Sequence, residues 1–163
     1  MARGYDFSGL KVLLIDDNRF MVQLVTQMLH AMGVRDFTTA SDGESALKKI
    51  AYSEPDLIIS DWDMEPVNGE ELVCRLRDRE NSPDPFLPII MLTGFSEARR
   101  VVAARDFGVT EFLVKPLTAR RLYERLVDVV ENPRPFVGAE KYFGPCRRRA
   151  AANDFAGEER RSA

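Results

Sequence analysis

Side chains that can do chemistry stand where short apolar runs stop: Asp16 and Asp17 after LLI, Asp61 after LIIS, Thr93 after IIML, and Lys115, followed by Pro116, after EFLV. Carboxylates, a hydroxyl and an ammonium are the parts that hold a divalent cation and neutralise a phosphoryl group. Three carboxylates brought together repel, since two unit charges about 4 Å apart cost about 4 kcal/mol at a surface-like dielectric. A cation removes that cost, and oxygen-only ligation by one or two carboxylates and water describes Mg²⁺. Lys115 adds a positive charge and Thr93 a hydroxyl donor. Together they can orient and neutralise a phosphoryl group, which is most of what phosphoryl transfer asks of a protein.

Taken singly, each of these residues reads as ordinary architecture. An Asp pair after a strand is commonly a turn and helix cap, and Lys-Pro is a strand stop. Their conjunction at four strand ends is what carries the argument, because it depends on the elements that hold them. The strand candidates are Lys11–Ile15, Asp36–Ala40, Leu57–Ser60, Ile89–Leu92 and Glu111–Val114. Four are almost continuously apolar or β-rich, as strands covered on both faces are, while the mixed second suits an edge.

Helical periodicity fills the gaps. Met21, Leu24, Val25, Met28, Leu29 and Met32 form one stripe over Arg19–Met32, which Gly33 then stops. Leu122, Leu126, Val129 and Val130 form another, with Thr118 as its N-cap. Weaker helices are read at Glu44–Tyr52, Glu70–Asp78 and Glu97–Phe107, the last capped by Ser96 and stopped by Gly108. Five alternations of strand and helix predict an α/β, doubly wound parallel sheet. In such sheets functional groups collect beyond the carboxyl ends of the strands, where all four groups fall. The strand order does not follow from the pattern.

Composition narrows the function classes. The 163 residues, 45% hydrophobic and 30% charged, exclude a disordered chain or a collagen-like repeat. Cys74 and Cys146 share no close-spaced motif and His30 is the lone histidine, which argues against a disulfide framework and a His-based metal centre. No signal segment or long apolar run occurs, so a cytoplasmic protein without membrane insertion is expected. Residues 1–131 carry 16 basic and 22 acidic side chains, whereas 132–163 carry seven basic and four acidic. The body therefore repels nucleic acid, and the tail can attract an anion. Pro133 and Pro135 break the last helix, and 132–163 is read as an appendage. Its stretch from Tyr142 to Arg149 is echoed twelve positions on by Asp154 to Arg161, each copy joining an aromatic, a glycine and arginines.

The text LLIDDN (13–18), SDWDMEPVNGEEL (60–72), PIIMLTG (88–94) and EFLVKPL (111–117) resembles the receiver domain of bacterial two-component response regulators, much like the single-domain chemotaxis type. The resemblance covers about residues 8–131, so 1–131 is taken as the receiver domain and 132–163 as a C-terminal tail. It implies a flavodoxin-like sheet in order 2-1-3-4-5, with two helices on one face and three on the other. It also implies that Asp61 is the phosphoacceptor, supplied by a histidine kinase or histidine phosphotransfer protein. Asp16, Asp17 and Asp61 would hold Mg²⁺ with the backbone carbonyl of Asp63. Thr93 and Lys115 would bind the phosphoryl group, with Thr93 and the aromatic Phe112 as switch residues. The implied protein is a signalling switch rather than an enzyme. Its downstream target would bind the face made by the fourth helix, fifth strand and fifth helix.

Some features depart from that pattern. Proline is expected four places after the phosphoacceptor, where Glu65 stands, and comes next, at Pro66. Asp63 adds a carboxylate and Phe95 a bulky group near the approach of water, which predicts slow self-dephosphorylation. Trp62 is read as a rim aromatic and His30 as a structural or surface residue. A calcium loop at Asp61–Leu72 fails, because its sixth and twelfth places hold Pro66 and Leu72. The thirty or so residues after the last helix lack helix-turn-helix spacing, so no DNA binding is expected. Two other readings stay open. One is a receiver-fold binding module acting through the arginine-rich tail on a protein or anionic ligand. The other is a haloacid-dehalogenase-like phosphatase, which wants a second Asp two residues after its nucleophile, where strand 1 instead ends Asp16-Asp17-Asn18.

Overall fold

The computed structural model describes residues 4–94, 107–139 and 142–145. Five parallel strands, β1 (Lys11–Ile15), β2 (Asp36–Ala40), β3 (Leu57–Asp61), β4 (Ile89–Thr93) and β5 (Glu111–Val114), form one sheet in the order β2-β1-β3-β4-β5. This is the flavodoxin-like order that the resemblance implies. The strand order reverses between β1 and β3, and that switch point opens the crevice where such sheets carry their ligands.

Near-continuous apolarity splits cleanly between the two faces. Leu13, Ile15, Ile58, Ile89 and Met91 pack on one side with α2 (Gly43–Ser53) and α3 (Gly69–Arg77). Val12, Leu14, Leu57, Ile59, Ile90, Leu92 and Leu113 pack on the other with α1 (Arg19–Ala31) and α4 (Ala119–Glu131), the last helix expected from the sequence. Strand side chains alternate in direction, so a strand buried on both faces needs apolar residues at every position. The helix expected at Glu97–Phe107, with its cap Ser96, lies outside the described residues apart from Phe107. Gly108 follows it with φ 103°, in the left-handed region that glycine enters without strain.

Helix starts are set by local side chains. Asn18, Asp42, Asn68 and Thr118 each accept a backbone N–H of the first turn of their helix, supplying partners that the helix cannot. Only Thr118 was foreseen in this role.

The region after α4 is more ordered than its lack of periodicity suggests. Strands β6 (Phe136–Ala139) and β7 (Tyr142–Pro145) pair antiparallel, with Val137 opposite Gly144. Rings of Phe86, Phe136 and Phe143 lie 5.1–5.5 Å apart, and the guanidiniums of Arg77 and Arg79 stand over Phe136 and Phe143 at 5.0 and 4.9 Å. Such contacts contribute about 0.5–1.5 kcal/mol each beyond area burial. They seat the hairpin at the start of β4 and β5, the end of the sheet opposite the strand tips. The tail arginines Arg147, Arg148, Arg149, Arg160 and Arg161, and Cys146, lie outside the described residues.

Candidate phosphoryl-acceptor site

Strands β3 and β4 each run one residue further than expected, so Asp61 and Thr93 are the last residues of their strands rather than the first of a loop. Both are therefore held by ladder hydrogen bonds. Asp61 stands beside Leu92, and Val114, immediately before Lys115, stands beside Thr93. The Lys115 N–H donates to the Thr93 carbonyl at 2.7 Å. At that rim Lys115 Nζ donates to Asp61 Oδ1 at 2.9 Å.

Asp16, one residue beyond β1, is buried, and its N–H donates to the Ala40 carbonyl. Its Oδ1 accepts the Asn18 N–H at 2.8 Å, and Asn18 in turn caps α1 through Oδ1. Asn18 was not singled out from the sequence, although an Asn directly before an amphipathic stripe is an N-cap signal. One carboxylate oxygen from each of Asp16, Asp17 and Asp61 lies within 4.8 Å of the others. Burial raises the Asp16 carboxyl from 3.8 to about 6. The Asn18 hydrogen bond opposes that shift, while the charges of Asp61 and Asp17 reinforce it.

Two buried oxygens at this rim, Asp16 Oδ2 and Thr93 Oγ1, have no hydrogen-bond partner. An unpartnered buried polar group costs about 1–3 kcal/mol, and a charged one more. A hard divalent cation satisfies the first, and an oxyanion the second. The three-carboxylate donor set thus fits Mg²⁺. Asp63 is exposed and its carboxylate is not part of the cluster, so its carbonyl remains the feature of interest there.

The loop from β3 to α3 is pressed into place by glycines that sequence reasoning missed. The Gly69 N–H donates to the Trp62 carbonyl at 2.8 Å, and the Gly43 N–H to the Val67 carbonyl at 3.1 Å. A Cβ on Gly43 would meet Val67 Cγ1 at 2.6 Å. Between these pins lies a cis Glu65–Pro66 bond. Trp62, expected at the rim, is instead 5% exposed and belongs to the core beside α2 and α3, because the pinned loop turns its ring inward. Phe112 is half-buried and packs against the same core, and its carbonyl accepts Arg125 Nε at 3.1 Å. His30 is exposed, with Nδ1 3.3 Å from an Arg35 nitrogen, and Phe95 lies outside the described residues.

Comparisons with known proteins agree with this fold. A family profile described as "Response regulator receiver domain" matches residues 12–127. Chemotaxis protein CheY-3 of Vibrio cholerae is 30% identical over 124 residues, covering 76% of this chain and 94% of that protein. Among solved structures, chemotaxis response regulator CheY4 of Vibrio cholerae matches with TM-score 0.66 at 34% identity, covering 74% of this chain and 98% of that one. The receiver domain of NtrX from Brucella abortus matches with TM-score 0.67 at 27% identity, covering 75% and 99%.

Proposed function

The chain belongs to the response regulator receiver domain family, and on that premise we propose that it is a signalling switch that accepts a phosphoryl group on Asp61. The observation that carries this reading is the rim itself. There Lys115 bonds Asp61 while the buried Asp16 Oδ2 and Thr93 Oγ1 wait without partners.

A carboxylate oxygen of Asp61 attacks the phosphorus of a phosphohistidine on a histidine kinase or phosphotransfer protein. The new P–O bond forms as the P–N bond breaks, and the imidazole nitrogen keeps the electron pair and takes a proton. Mg²⁺, when bound by Asp16, Asp17 and Asp61 with the Asp63 carbonyl, offsets the charge that accumulates at the phosphoryl oxygens. Lys115 leaves the Asp61 carboxylate to pair with the transferred group, and Thr93 donates its hydroxyl to it. No covalent group on this chain other than Asp61 takes part. Beyond that nucleophile, the chain contributes positioning and charge neutralisation.

The acyl phosphate carries about −1.5 to −2 charges at the rim in place of the single charge of the Asp61 carboxylate. Thr93 and the neighbouring Phe112 respond to it, and the resulting population shift alters binding of a downstream protein at the β5–α4 side of the domain. Phe20, 82% exposed on the first turn of α1, offers an apolar contact beside the acidic cluster, where a donor protein must approach. The expected site of action is the cytoplasm, where such a phosphoryl donor works, and among the described residues no helix is long and apolar enough to cross a membrane. The direct test is formation of a beryllofluoride adduct in Mg²⁺ that Asp61→Ala loses. Retention of the adduct by that variant contradicts the assignment.

A further inference from the structure

The two strands that end in the phosphoryl site begin in the seat of the C-terminal hairpin. β5 runs from Glu111 to Val114, with Lys115 next. At its far end Glu111 is buried and takes two arginines, Arg125 of α4 at 3.9 Å and Arg134 of the segment leading to β6 at 3.2 Å. At its near end Lys115 holds Asp61. β4 has the same plan. Its last residue is Thr93, and ahead of its first residue, Ile89, the Leu87 carbonyl accepts Arg77 Nη1 at 2.8 Å. Arg77 is itself buried, donates to the Gly108 and Pro85 carbonyls, and lies over Phe136 of the hairpin. Thr110 ties the two strand starts together through a hydrogen bond from the Ile89 N–H at 3.0 Å.

We propose that the pair of strands β6 and β7 is thermodynamically coupled to the state of Asp61 through β4 and β5, so that loading the site loosens the hairpin seat. This rests on the phosphoacceptor reading above. A group on Asp61 draws Lys115 and the unpartnered Thr93 hydroxyl toward the rim. Both strands are laddered residue by residue, from Ile90 beside Glu111 to Thr93 beside Val114. A pull at one end therefore acts along the five residues of β4 and the four of β5, about 13–16 Å in length, on the Glu111–Arg134 pair and on the carbonyls that hold Arg77. The tail, carrying the arginine repeat beyond residue 145, is then an output whose attachment responds to phosphorylation. Linkage requires the converse as well: a looser seat must favour the loaded site by the same factor.

The test uses the full chain with Mg²⁺ and beryllofluoride as probe. Amide exchange at 136–139 and 142–144 is followed by mass spectrometry, and probe affinity by calorimetry. The expected result is exchange about fivefold faster in the loaded protein, a coupling of the usual size between sites. The same factor of tighter probe binding is expected in Arg134→Gln and, independently, in Phe143→Leu. Probe binding with hairpin exchange unchanged or slower, or with affinity unaltered in both variants, overturns the coupling while leaving the phosphoacceptor reading standing. A wild-type chain that binds no probe overturns that reading, and the coupling with it.

Discussion

Gly69 sits so close to Asp61 that a Cβ there would stand 2.9 Å from the Asp61 carbonyl oxygen, and 3.0 Å from both Met91 Sδ and Trp62 Cα. Two of these three neighbours are backbone atoms of Asp61 and Trp62, which cannot swing aside as a side-chain tip can. Inside an ordinary helix Gly→Ala stabilises by about 1 kcal/mol. At the start of α3 the sign should reverse. Gly69→Ala is expected to destabilise by about 1–3 kcal/mol through overpacking, measured by urea denaturation. It should also slow acetyl phosphate labelling. A gain in stability contradicts the close fit.

Asp16 gives a pH prediction. Its folded-state carboxyl is raised from 3.8 to about 6, so the folded protein holds a proton there that the unfolded chain has already released. This group's contribution to stability is present at low pH and is lost as pH rises from about 4 through about 6. Above that window the ionised carboxylate, with Oδ2 unpartnered, costs at most about 3 kcal/mol, at about 1.4 kcal/mol per pH unit. Asp16→Asn is therefore expected to raise Tm at pH 7.5 without divalent cation and to remove Mg²⁺ binding. In the wild type, Mg²⁺ affinity should fall below pH 6 as protons compete.

Phe20 separates partner docking from chemistry. Phe20→Ala removes an exposed ring and leaves the rim unchanged, so phosphorylation by a protein donor should slow about tenfold. That is the loss of about 1.4 kcal/mol of contact. Labelling by acetyl phosphate should be unaltered. Equal slowing with both donors would place Phe20 in the chemistry instead.

Arg77 is a structural cation. Its Nε and Nη1 donate to the carbonyls of Gly108, Pro85 and Leu87, while Nη2 has no hydrogen-bond partner. Burial lowers its pKa to about 10, so it stays charged at neutral pH. Arg77→Ala leaves three carbonyls unpaired and should cost about 3 kcal/mol or more, at about 1.5–3 kcal/mol per charged hydrogen bond. Denaturant titration checks this, and a loss under 1 kcal/mol contradicts the account.

Much of this was legible in the residues. Continuous apolarity of LLI, LIIS and IIML marks strands covered on both faces, and the polar groups after them fall where parallel sheets gather ligands. Strand order came from the family text rather than from periodicity, because five interchangeable apolar runs do not say which neighbours which. The hairpin was missed for a different reason. Phe136, Phe143 and Gly144 earn their places through contacts with Phe86, Arg77 and Gly108, distant in sequence, so no local period announces them. Trp62 was misplaced for the same cause, since the Gly69 and Gly43 pins that turn it inward act across the loop. Glu111 and Arg134, twenty-three positions apart, carry no motif either.

The most direct test of the phosphoacceptor assignment is intact-protein mass spectrometry after incubation with Mg²⁺ and acetyl phosphate, comparing wild type with Asp61→Ala. The account predicts a single added phosphoryl mass on the wild-type chain, absent from the variant and absent when Mg²⁺ is chelated. An equal phosphoryl mass on the Asp61→Ala chain, or none on the wild type, would contradict it.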